Sequence, residues 1–414
     1  MDAQDVLALG LGVAPPWRLV EQRLDTNKQP HVLYIMLEAE RGTEFPCPDC
    51  GKFCKAHDFK EFTWRHLNFF QHHCLITARV PRTDCPEHGV KRANVSWARE
   101  GSGFTLLFEQ AAMILVREMP VLAAARFMNV TDKRLWRVVD HYVGKAVKRL
   151  ELSGLKAFAF DETASKRGHN YVTVFIDADR KNNPVIFATP GKGKNTVKEF
   201  KAFLKLRGGK PGRIKEVVCD MSPAFLAALA KEFPAAAVTV DWFHVVQLFT
   251  RAVDDVRKAE YKLVKMPAAT RWAVLKAGDG KLTDKQAMAL AELEAGDFLT
   301  ATAWRIKEKL RWVRRAKTPH AARWRLSHFL RHATKQIGDG PLFEAVRKAL
   351  GTVEKHQKRI LERWTSTHSN ARMEAMNGLF QAARARARGY RNTETFIIMI
   401  YLIAAPLGDI FKST

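Results

Sequence analysis

The chain has 414 residues, of which 68 are Lys or Arg and 43 are Asp or Glu, so its formal net charge is +25. A surplus of this size favours a polyanionic partner, either nucleic acid or an anionic membrane surface. The longest apolar run, 396–407, is too short to span a bilayer, and the acidic N-terminal residues are unlike a signal peptide. We therefore expect a soluble cytoplasmic protein that binds nucleic acid and not membranes.

The predicted elements change character several times along the chain. Short β-branched and aromatic runs in the middle follow the order β-β-β-α-β-α-β, which is the element order of an RNase H-like core. The predicted fold is multidomain α/β. An N-terminal segment (1–40, one helix and one strand) is followed by two small domains whose motifs are described below, a zinc-binding domain (41–100) and a helix-turn-helix domain (101–150). The rest consists of the first part of the RNase H-like core (155–244), a long all-α insertion (245–365) and the helices that complete the core (366–414).

Five of the six cysteines lie between residues 47 and 85, and this clustering indicates metal binding rather than disulfides. Cys47-Pro-Asp-Cys50-Gly and Cys85-Pro-Glu-His88-Gly share the pattern ligand-Pro-x-ligand-Gly. Two such pairs predict a structural, tetrahedral Zn²⁺ site. The alternative is a pair of turns with free thiols. Other side chains of the segment could replace His88, although core packing or surface exposure is expected for each: Cys54, His57, His72, His73 and Cys74.

Residues 121–142 predict a helix-turn-helix. Asn129 falls where the turn needs a positive φ, which Asn tolerates better than most residues, and Thr131 is a suitable N-cap for the second helix. That helix would enter the major groove of DNA. A plain helical hairpin is the alternative. The candidate DNA-binding residues of the second helix are Lys133, Arg134 and Arg137.

Two acids follow buried strands in the predicted core. The strand from Phe158 is expected to end at Asp161, and another ends at Asp220. Acids at the ends of adjacent strands can point into one cleft, where their charges repel unless a cation lies between them. A third acid from a helix would complete a site for Mg²⁺ or Mn²⁺, and two such ions can catalyse phosphoryl transfer.

Glu374 is the best third acid because of its position on a predicted helix, 370–388. At about 100° per residue, one narrow stripe is polar and contains Asn370, Glu374, Asn377, Gln381, Arg384 and Arg388. The opposite, core-directed side contains Met376, Leu379, Phe380 and Ala383. A lone carboxylate among amides and arginines suits metal binding beside a phosphate backbone, and Arg384, Arg388 and Arg391 are candidate DNA contacts. The alternative is a salt bridge within the helix, from Glu374 to Arg372 or to another nearby basic residue.

Other polar residues near strand ends compete for this role. Asp177 and Asp179 precede the segment RKNNP and are expected to be turn residues, whereas Glu162 remains an alternative acid. Asp241 is a candidate for a supporting or substrate-binding role. His244 could equally be a core histidine.

Several long motifs, in the same order, give the chain a specific resemblance. They are CPDCG with CPEHG, WRHLNFF followed by ARVPRTDCPEHGV, FAFDE, GHNYVTVFID, VVCDMSPAF, FPAAAVTVDWFHV, and NARMEAMNGLF with ARGYRN. Over nearly its whole length the chain resembles the ISL-three family of bacterial insertion-sequence transposases. The resemblance implies a zinc-binding domain, a helix-turn-helix, and a DDE domain with a helical insertion and the triad Asp161, Asp220 and Glu374. His88 departs from the family, in which a second cysteine is common.

The resemblance implies an enzyme that binds terminal inverted repeats, cuts the DNA end and joins its 3′-hydroxyl to target DNA. The mechanism leads us to expect a homo-oligomer on DNA, associated with the bacterial nucleoid. The alternatives are an inactive, domesticated DNA-binding regulator and a nuclease that cuts without joining. In the insertion, the tryptophans are expected to pack in the core and the basic residues between them to contact phosphates; the tryptophans are Trp304, Trp312 and Trp324.

Overall fold

The structure is a computed structural model that describes residues 3–408, except 167, 169, 277–281 and 367. It divides into two compact units, of which the first extends to Gly144 and the second runs from Lys145 to Leu407. The described helices contain none that is both long enough and apolar enough to cross a membrane.

The first unit begins with a short helix and a β-rich region. Its elements are α1 (Ala3–Gly10), β1 (Trp17–Asp25), β2 (Val32–Ala39), β3 (Phe45–Pro46), β4 (Phe53–Cys54), β5 (Ala56–Phe69), β6 (His72–Cys85) and β7 (Gly89–Arg92). The sheet has the order β1-β2-β6-β5, with β7 also on β6, and β2 runs parallel to β6. Alternate residues of β6, from Cys74 to Val80, are buried in its core, as the two-residue period of a strand requires.

One strand of this sheet differs from the prediction. The sequence predicts a single strand before residue 41, but β1 precedes β2 and pairs with it antiparallel. Only Trp17 and Leu19 of β1 are buried, and the remaining residues are exposed or half-buried. The alternation of apolar and polar residues that identifies a strand is therefore too short in β1 to be recognised.

Three helices complete the first unit: α2 (Leu106–Glu118), α3 (Val121–Phe127) and α4 (Asp132–Arg149), the last of which continues past the unit boundary. The fully buried carboxylate of Glu109 on α2 connects α2 with α4. It accepts hydrogen bonds from Arg99 Nε at 2.9 Å, Ser102 Oγ at 2.6 Å and Tyr142 Oη at 2.7 Å. Because Tyr142 lies on α4 and Glu109 on α2, this network fixes the two helices to each other.

A five-stranded sheet forms the centre of the second unit. Its elements are β8 (Ala157–Ala164), β9 (Tyr171–Asp177), β10 (Val185–Pro190), α5 (Lys194–Leu206), β11 (Glu216–Cys219), α6 (Pro223–Glu232) and β12 (Ala237–Val240). The strand order is β10-β9-β8-β11-β12. The pairs within β8, β9 and β10 are antiparallel, whereas β11 is parallel to both β8 and β12. A phenylalanine-rich core, which includes Phe158, Phe175 and Phe200, lies under the sheet.

The second unit is otherwise helical. Its later helices are α7 (Trp242–Tyr261), α8 (Thr270–Leu275), α9 (Asp284–Ala295), α10 (Leu299–Arg314), α11 (Pro319–Ile337), α12 (Glu344–Lys355), α13 (Gln357–Leu361), α14 (Ala371–Arg386) and α15 (Thr393–Ala404). Trp304 and Trp312 pack against a shared core of this region, as expected. The expectation is wrong for Trp324, which is 55% exposed, because α11 buries Leu326 and Phe329 on its other side.

A histidine fixes the segment that precedes α14. His368 Nδ1 lies 2.7 Å from Glu216 Oε2 at the start of β11, and its Nε2 lies 2.9 Å from Asp179 Oδ1 after β9. Burial alone would lower the pKa of His368, but these two carboxylates raise it above its ordinary value. This pairing holds the beginning of α14 beside the sheet.

Candidate functional site

Three acids lie side by side across three neighbouring strands of the second unit, β8, β11 and β12. Val218 pairs with Ala159 of β8, and Cys219 pairs with Val240 of β12. Continuing this register places Asp220 level with Asp161 on one side and with Asp241 on the other. Neighbouring strands are about 4.8 Å apart, so the fold brings three acids into one row at the carboxyl ends of β11 and β12.

The structure corrects the expected end of the first strand. Asp161 does not end β8, since the strand continues to Ala164 and pairs Asp161 with Val174 of β9. Asp220 directly follows β11, as predicted. The row therefore combines a residue within β8, Asp161, with the two residues that directly follow β11 and β12, Asp220 and Asp241.

Helix α14 presents its predicted polar stripe to β8. Asn377 Nδ2 donates to Asp161 Oδ2 at 2.9 Å, and Gln381 Nε2 donates to Thr163 Oγ1 at 2.7 Å. At the beginning of the helix, Asn370 Nδ2 donates to Asp241 Oδ2 at 3.0 Å. Two acids of the row, Asp161 and Asp241, thus each accept a hydrogen bond from a side-chain amide of α14 or its first flanking residue. These hydrogen-bond partners were not predicted from the sequence.

The opposite side of α14 is less apolar than predicted. Met373, Phe380 and Ala383 are buried, but Leu379 is 48% exposed. Met373 and Phe380 are seven residues apart and point almost the same way, whereas Leu379 is rotated about 100° from Phe380. The buried stripe is consequently too narrow to include Leu379.

Glu374 lies on the exposed part of α14, at the edge of a 230 Å³ pocket that Asp241, Arg314 and Arg363 also line. Burial and then the charge of Asp241 raise the pKa of Glu374, against the effect of His244 and Arg314. The alternative salt bridge to Arg372 is wrong, because Arg372 Nη1 donates to the carbonyls of residues 178 and 180, at 3.0 and 2.6 Å.

Burial and mutual repulsion perturb the acids of the row. The pKa of Asp161 is raised to about 6, first by burial and then by the charges of Asp220 and Asp241. Next to the row, burial and then the charge of Asp220 raise the pKa of Glu162 to about 7. Burial also raises the pKa of Asp220, although the amide of Ser222 and nearby His244 oppose it. Such repulsion is relieved by a cation.

The oxygen donors of the row suit a hard divalent cation. Besides the carboxylates, the Oδ1 atoms of Asn370 and Asn377 are buried without a hydrogen-bond partner in the described part of the chain. A buried amide oxygen without a partner is unfavourable unless a cation or water satisfies it. The side chains of Asp161, Asp220 and Glu374 are not close enough together to bind one ion. Among the described residues, the one group whose ligand atoms are that close is a cysteine and histidine cluster of the first unit.

That cluster consists of the four predicted zinc ligands, Cys47, Cys50, Cys85 and His88, whose donor atoms all lie within 4.8 Å of one another. The Sγ atoms of Cys50 and Cys85 are 3.8 Å apart, and His88 Nδ1 lies 3.6 Å from Cys85 Sγ. Zn–S and Zn–N bonds of about 2.3 and 2.0 Å at tetrahedral angles require edges of about 3.5–3.8 Å. Three of the donor–donor distances lie between 3.6 and 3.9 Å, close to those of a tetrahedral zinc site.

The turn between α3 and α4 has the predicted backbone. Asn129 has a φ of 52°, and Thr131 directly precedes α4. Lys133 and Arg137 are exposed on α4. Arg134 is exposed as well, but its guanidinium carbon lies 4.1 Å from the ring centre of Phe104. Stacking therefore holds Arg134 in one orientation.

The three basic residues predicted at the end of α14 have different environments. Arg384 Nη1 donates to Ala164 O at 2.9 Å, so this arginine supports β8. Arg388, with a φ of 55°, lies just beyond the helix and is exposed. The side chain of Arg391 is exposed, while its carbonyl accepts a hydrogen bond from Lys166.

Comparison with known proteins adds independent findings. A transposase family model matches residues 158–400, the helix-turn-helix domain of transposase family ISL3 matches residues 93–143, and the zinc finger of transposase IS204/IS1001/IS1096/IS1165 matches residues 43–88. The transposase for insertion sequence element IS1001 of Bordetella parapertussis is 27% identical over 364 residues, which cover 86% of this chain and 87% of that protein. The transposase for insertion sequence element IS1557 of Mycobacterium tuberculosis is 26% identical over 297 residues, which cover 64% of this chain and 66% of that protein.

Proposed function

Since the chain belongs to transposase family ISL3, we propose that it cuts and joins the DNA of its insertion sequence at a site formed by Asp161, Asp220 and Glu374. The observation that carries this proposal is the row of level carboxylates on adjacent strands, beside a helix that bears a further acid. The strand order and directions support an RNase H-like core, into which the helices between β12 and α14 are inserted.

Asp161, Asp220 and Glu374 would hold Mg²⁺ or Mn²⁺, which requires their side chains to come closer together than they lie in this structure. The bound ions would activate the attacking oxygen and stabilise the leaving one. The amides of Asn377 and Asn370 position the carboxyl groups of Asp161 and Asp241, to which they donate. The two arginines of the pocket beside Glu374 provide positive charge for a phosphate of the DNA backbone.

The proposed reaction has two steps of the same kind. Water attacks the phosphodiester at the end of the element and releases a 3′-hydroxyl, which then attacks a phosphodiester of the target and releases its 3′-oxygen. Each step forms one P–O bond and breaks another, so no covalent enzyme intermediate is needed. Positioning and electrostatic stabilisation provide the catalysis.

The first unit would recognise the terminal inverted repeats. Structural Zn²⁺ on the cysteine and histidine cluster would order the loops around β3, β4 and β7, and α4 would enter the major groove. Lys133 and Arg137 are free to contact DNA, with Arg388 and Arg391 adding contacts near the active site. Because two ends must be joined in one complex, we propose that the protein acts as a homo-oligomer on DNA in the nucleoid.

The test uses a labelled fragment of the element end, with target DNA and Mg²⁺ or Mn²⁺. Wild type should cut and join, whereas Asp161→Ala, Asp220→Ala and Glu374→Ala should bind the fragment but do neither. Asp255→Ala, an exposed acid on α7, is the matched control and should remain active. If wild type binds the end but never cuts, the enzymatic proposal is wrong; if Glu374→Ala alone remains active, the third ligand is wrong and Glu162 and Asp241 are the next positions to test.

A further inference from the structure

Helix α11 presents an aromatic stack on the surface of the second unit. The rings of Trp324 and His328 are stacked, with centroids 5.4 Å apart and an angle of 24°. His332, one turn further, lies with its ring centroid 4.0 Å from that of His328 and its plane tilted by 37°. These three side chains are four residues apart, so they follow one line along the helix. We call this line the Trp324 stack.

The stack is held in place from behind. Trp312 of α10 packs against the helical core and contacts the edges of both Trp324 and His328, with centroids 5.6 Å apart in each pair. Arg325 in turn covers Trp312 and donates to its carbonyl at 2.8 Å. Trp324 therefore keeps 55% of its surface exposed while its orientation is fixed. Such a ring can accept a flat partner with little further loss of conformational entropy.

The charge around the stack is almost entirely positive. The segment 299–337, which contains α10 and α11, has eleven Lys and Arg residues and a single acid, Glu308. Glu308 is already paired with Lys307 and Arg311, each at 3.1 Å. Lys309 and Arg331 are close enough to His328 to lower its pKa, after the larger effect of burial. A polyanion is the partner that complements this surface.

We propose that the Trp324 stack binds an unpaired base of the DNA substrate, with the surrounding lysines and arginines on the flanking phosphates. This inference rests on the proposed function and deepens it. Bases inside a duplex are covered on both faces by their neighbours, so away from the duplex ends an exposed indole can stack only on a base that has left the helix or lies in a single strand. Stacking of this kind depends little on sequence, because every base has a π-face.

The experiment measures binding of the zinc-loaded, full-length protein to two short duplexes, in a buffer without Mg²⁺ or Mn²⁺ so that no cutting occurs. One is fully paired, and the other has the same sequence with one unpaired 2-aminopurine, whose fluorescence reports stacking. Trp324→Ala should weaken binding of the unpaired substrate by about 5- to 100-fold and change that of the paired duplex by less than about twofold. It should also abolish the change in 2-aminopurine fluorescence. Trp324→Phe should retain most of the affinity and the signal.

The chain offers a matched control in Trp272 of α8, which is 54% exposed and also lies beside an arginine, Arg271. Trp272→Ala should bind both duplexes like wild type. The proposal is overturned if Trp324→Ala leaves binding of the unpaired substrate unaffected, or if it weakens binding of both duplexes equally. It is also overturned if sedimentation shows that the only effect of Trp324→Ala is to dissociate an oligomer. Failure of wild type to bind an element end would instead count against the proposed function, so the two failures are distinguishable.

Discussion

Replacing Asp161 with Asn should make the protein more stable in the absence of Mg²⁺ or Mn²⁺, while it abolishes cutting. The pKa of Asp161 is raised to about 6 in the folded chain, from an ordinary value of 3.8, mainly by burial and further by Asp220 and Asp241. The folded state therefore holds this proton more tightly than the unfolded state does. Above about pH 6 the carboxyl is ionised in both states, and the folded state bears the unfavourable charge.

The magnitude follows from the pKa difference. One pKa unit corresponds to about 1.4 kcal/mol, so a rise of about two units lowers the free energy of unfolding by about 3 kcal/mol at neutral pH. Asn removes the charge and keeps the size. Asp161 accepts hydrogen bonds from Glu162 N and Asn377 Nδ2, and the new amide can keep both contacts if Asn377 turns its unpartnered Oδ1 towards it. We expect a net gain of about 1–3 kcal/mol.

Urea unfolding of zinc-loaded Asp161→Asn and wild type, followed by tryptophan fluorescence in a buffer without Mg²⁺ or Mn²⁺, tests this reasoning. The variant should be more stable near neutral pH, and the difference should fall below about 1 kcal/mol near pH 4.5, where the folded carboxyl is protonated. Mg²⁺ at about 100 times its dissociation constant should stabilise wild type by about 2.7 kcal/mol and the variant much less. Asp255→Asn is the exposed control. A variant that is less stable than wild type without Mg²⁺ or Mn²⁺, or a stability difference that does not depend on pH, would refute the reasoning.

Three further predictions concern the remaining features. Wild type should contain one Zn²⁺ per chain by elemental analysis; Cys85→Ser should lose it and the specific DNA binding, whereas Cys74→Ala, at a buried thiol of the sheet, should keep the metal. Glu109→Ala should destabilise the first unit by about 3–5 kcal/mol, since it breaks a buried charged network, while Tyr142→Phe should lose only about 1 kcal/mol in the same denaturation assay; equal losses would contradict the network. His368→Gln should reduce the free energy of unfolding most near pH 6, because a histidine with a raised pKa stabilises the fold while it is protonated. The stability difference from wild type should shrink as the pH rises through the raised pKa. A difference that grows towards pH 9 would contradict this reasoning.

Local patterns made some features predictable from the sequence. The paired Cys-Pro motifs identified four donors that the fold does bring together, and Asn129 marked the positive φ between two helices. Both depend on a few neighbouring residues, so no long-range information was needed. The polar stripe of α14 was also recognisable, because the period of a helix determines which side chains share a face.

Contacts between distant segments were not predictable in the same way. The sequence shows that Asn377 belongs to a polar stripe, but not that this stripe meets β8, where its partner Asp161 lies 216 positions earlier. Nor does a strand-like run reveal its register, which is what places Asp241 level with Asp220. The end of β8 was missed for a similar reason, since its last residues are held by pairing with β9 and not by their own apolar pattern.

The wide separation of Asp161 and Glu374 along the chain has a consequence for synthesis. A ribosome that adds about 5–20 residues per second needs roughly 10–40 s to reach Glu374 after it has passed Asp161. During that interval the first unit is already available to fold, while α14 and its amides have not been made. On the proposed function, a nascent or prematurely terminated chain could occupy an element end without being able to cut it. Interrupted translation would then generate competitors of the complete enzyme, and the fraction of finished chains would limit how often the element moves.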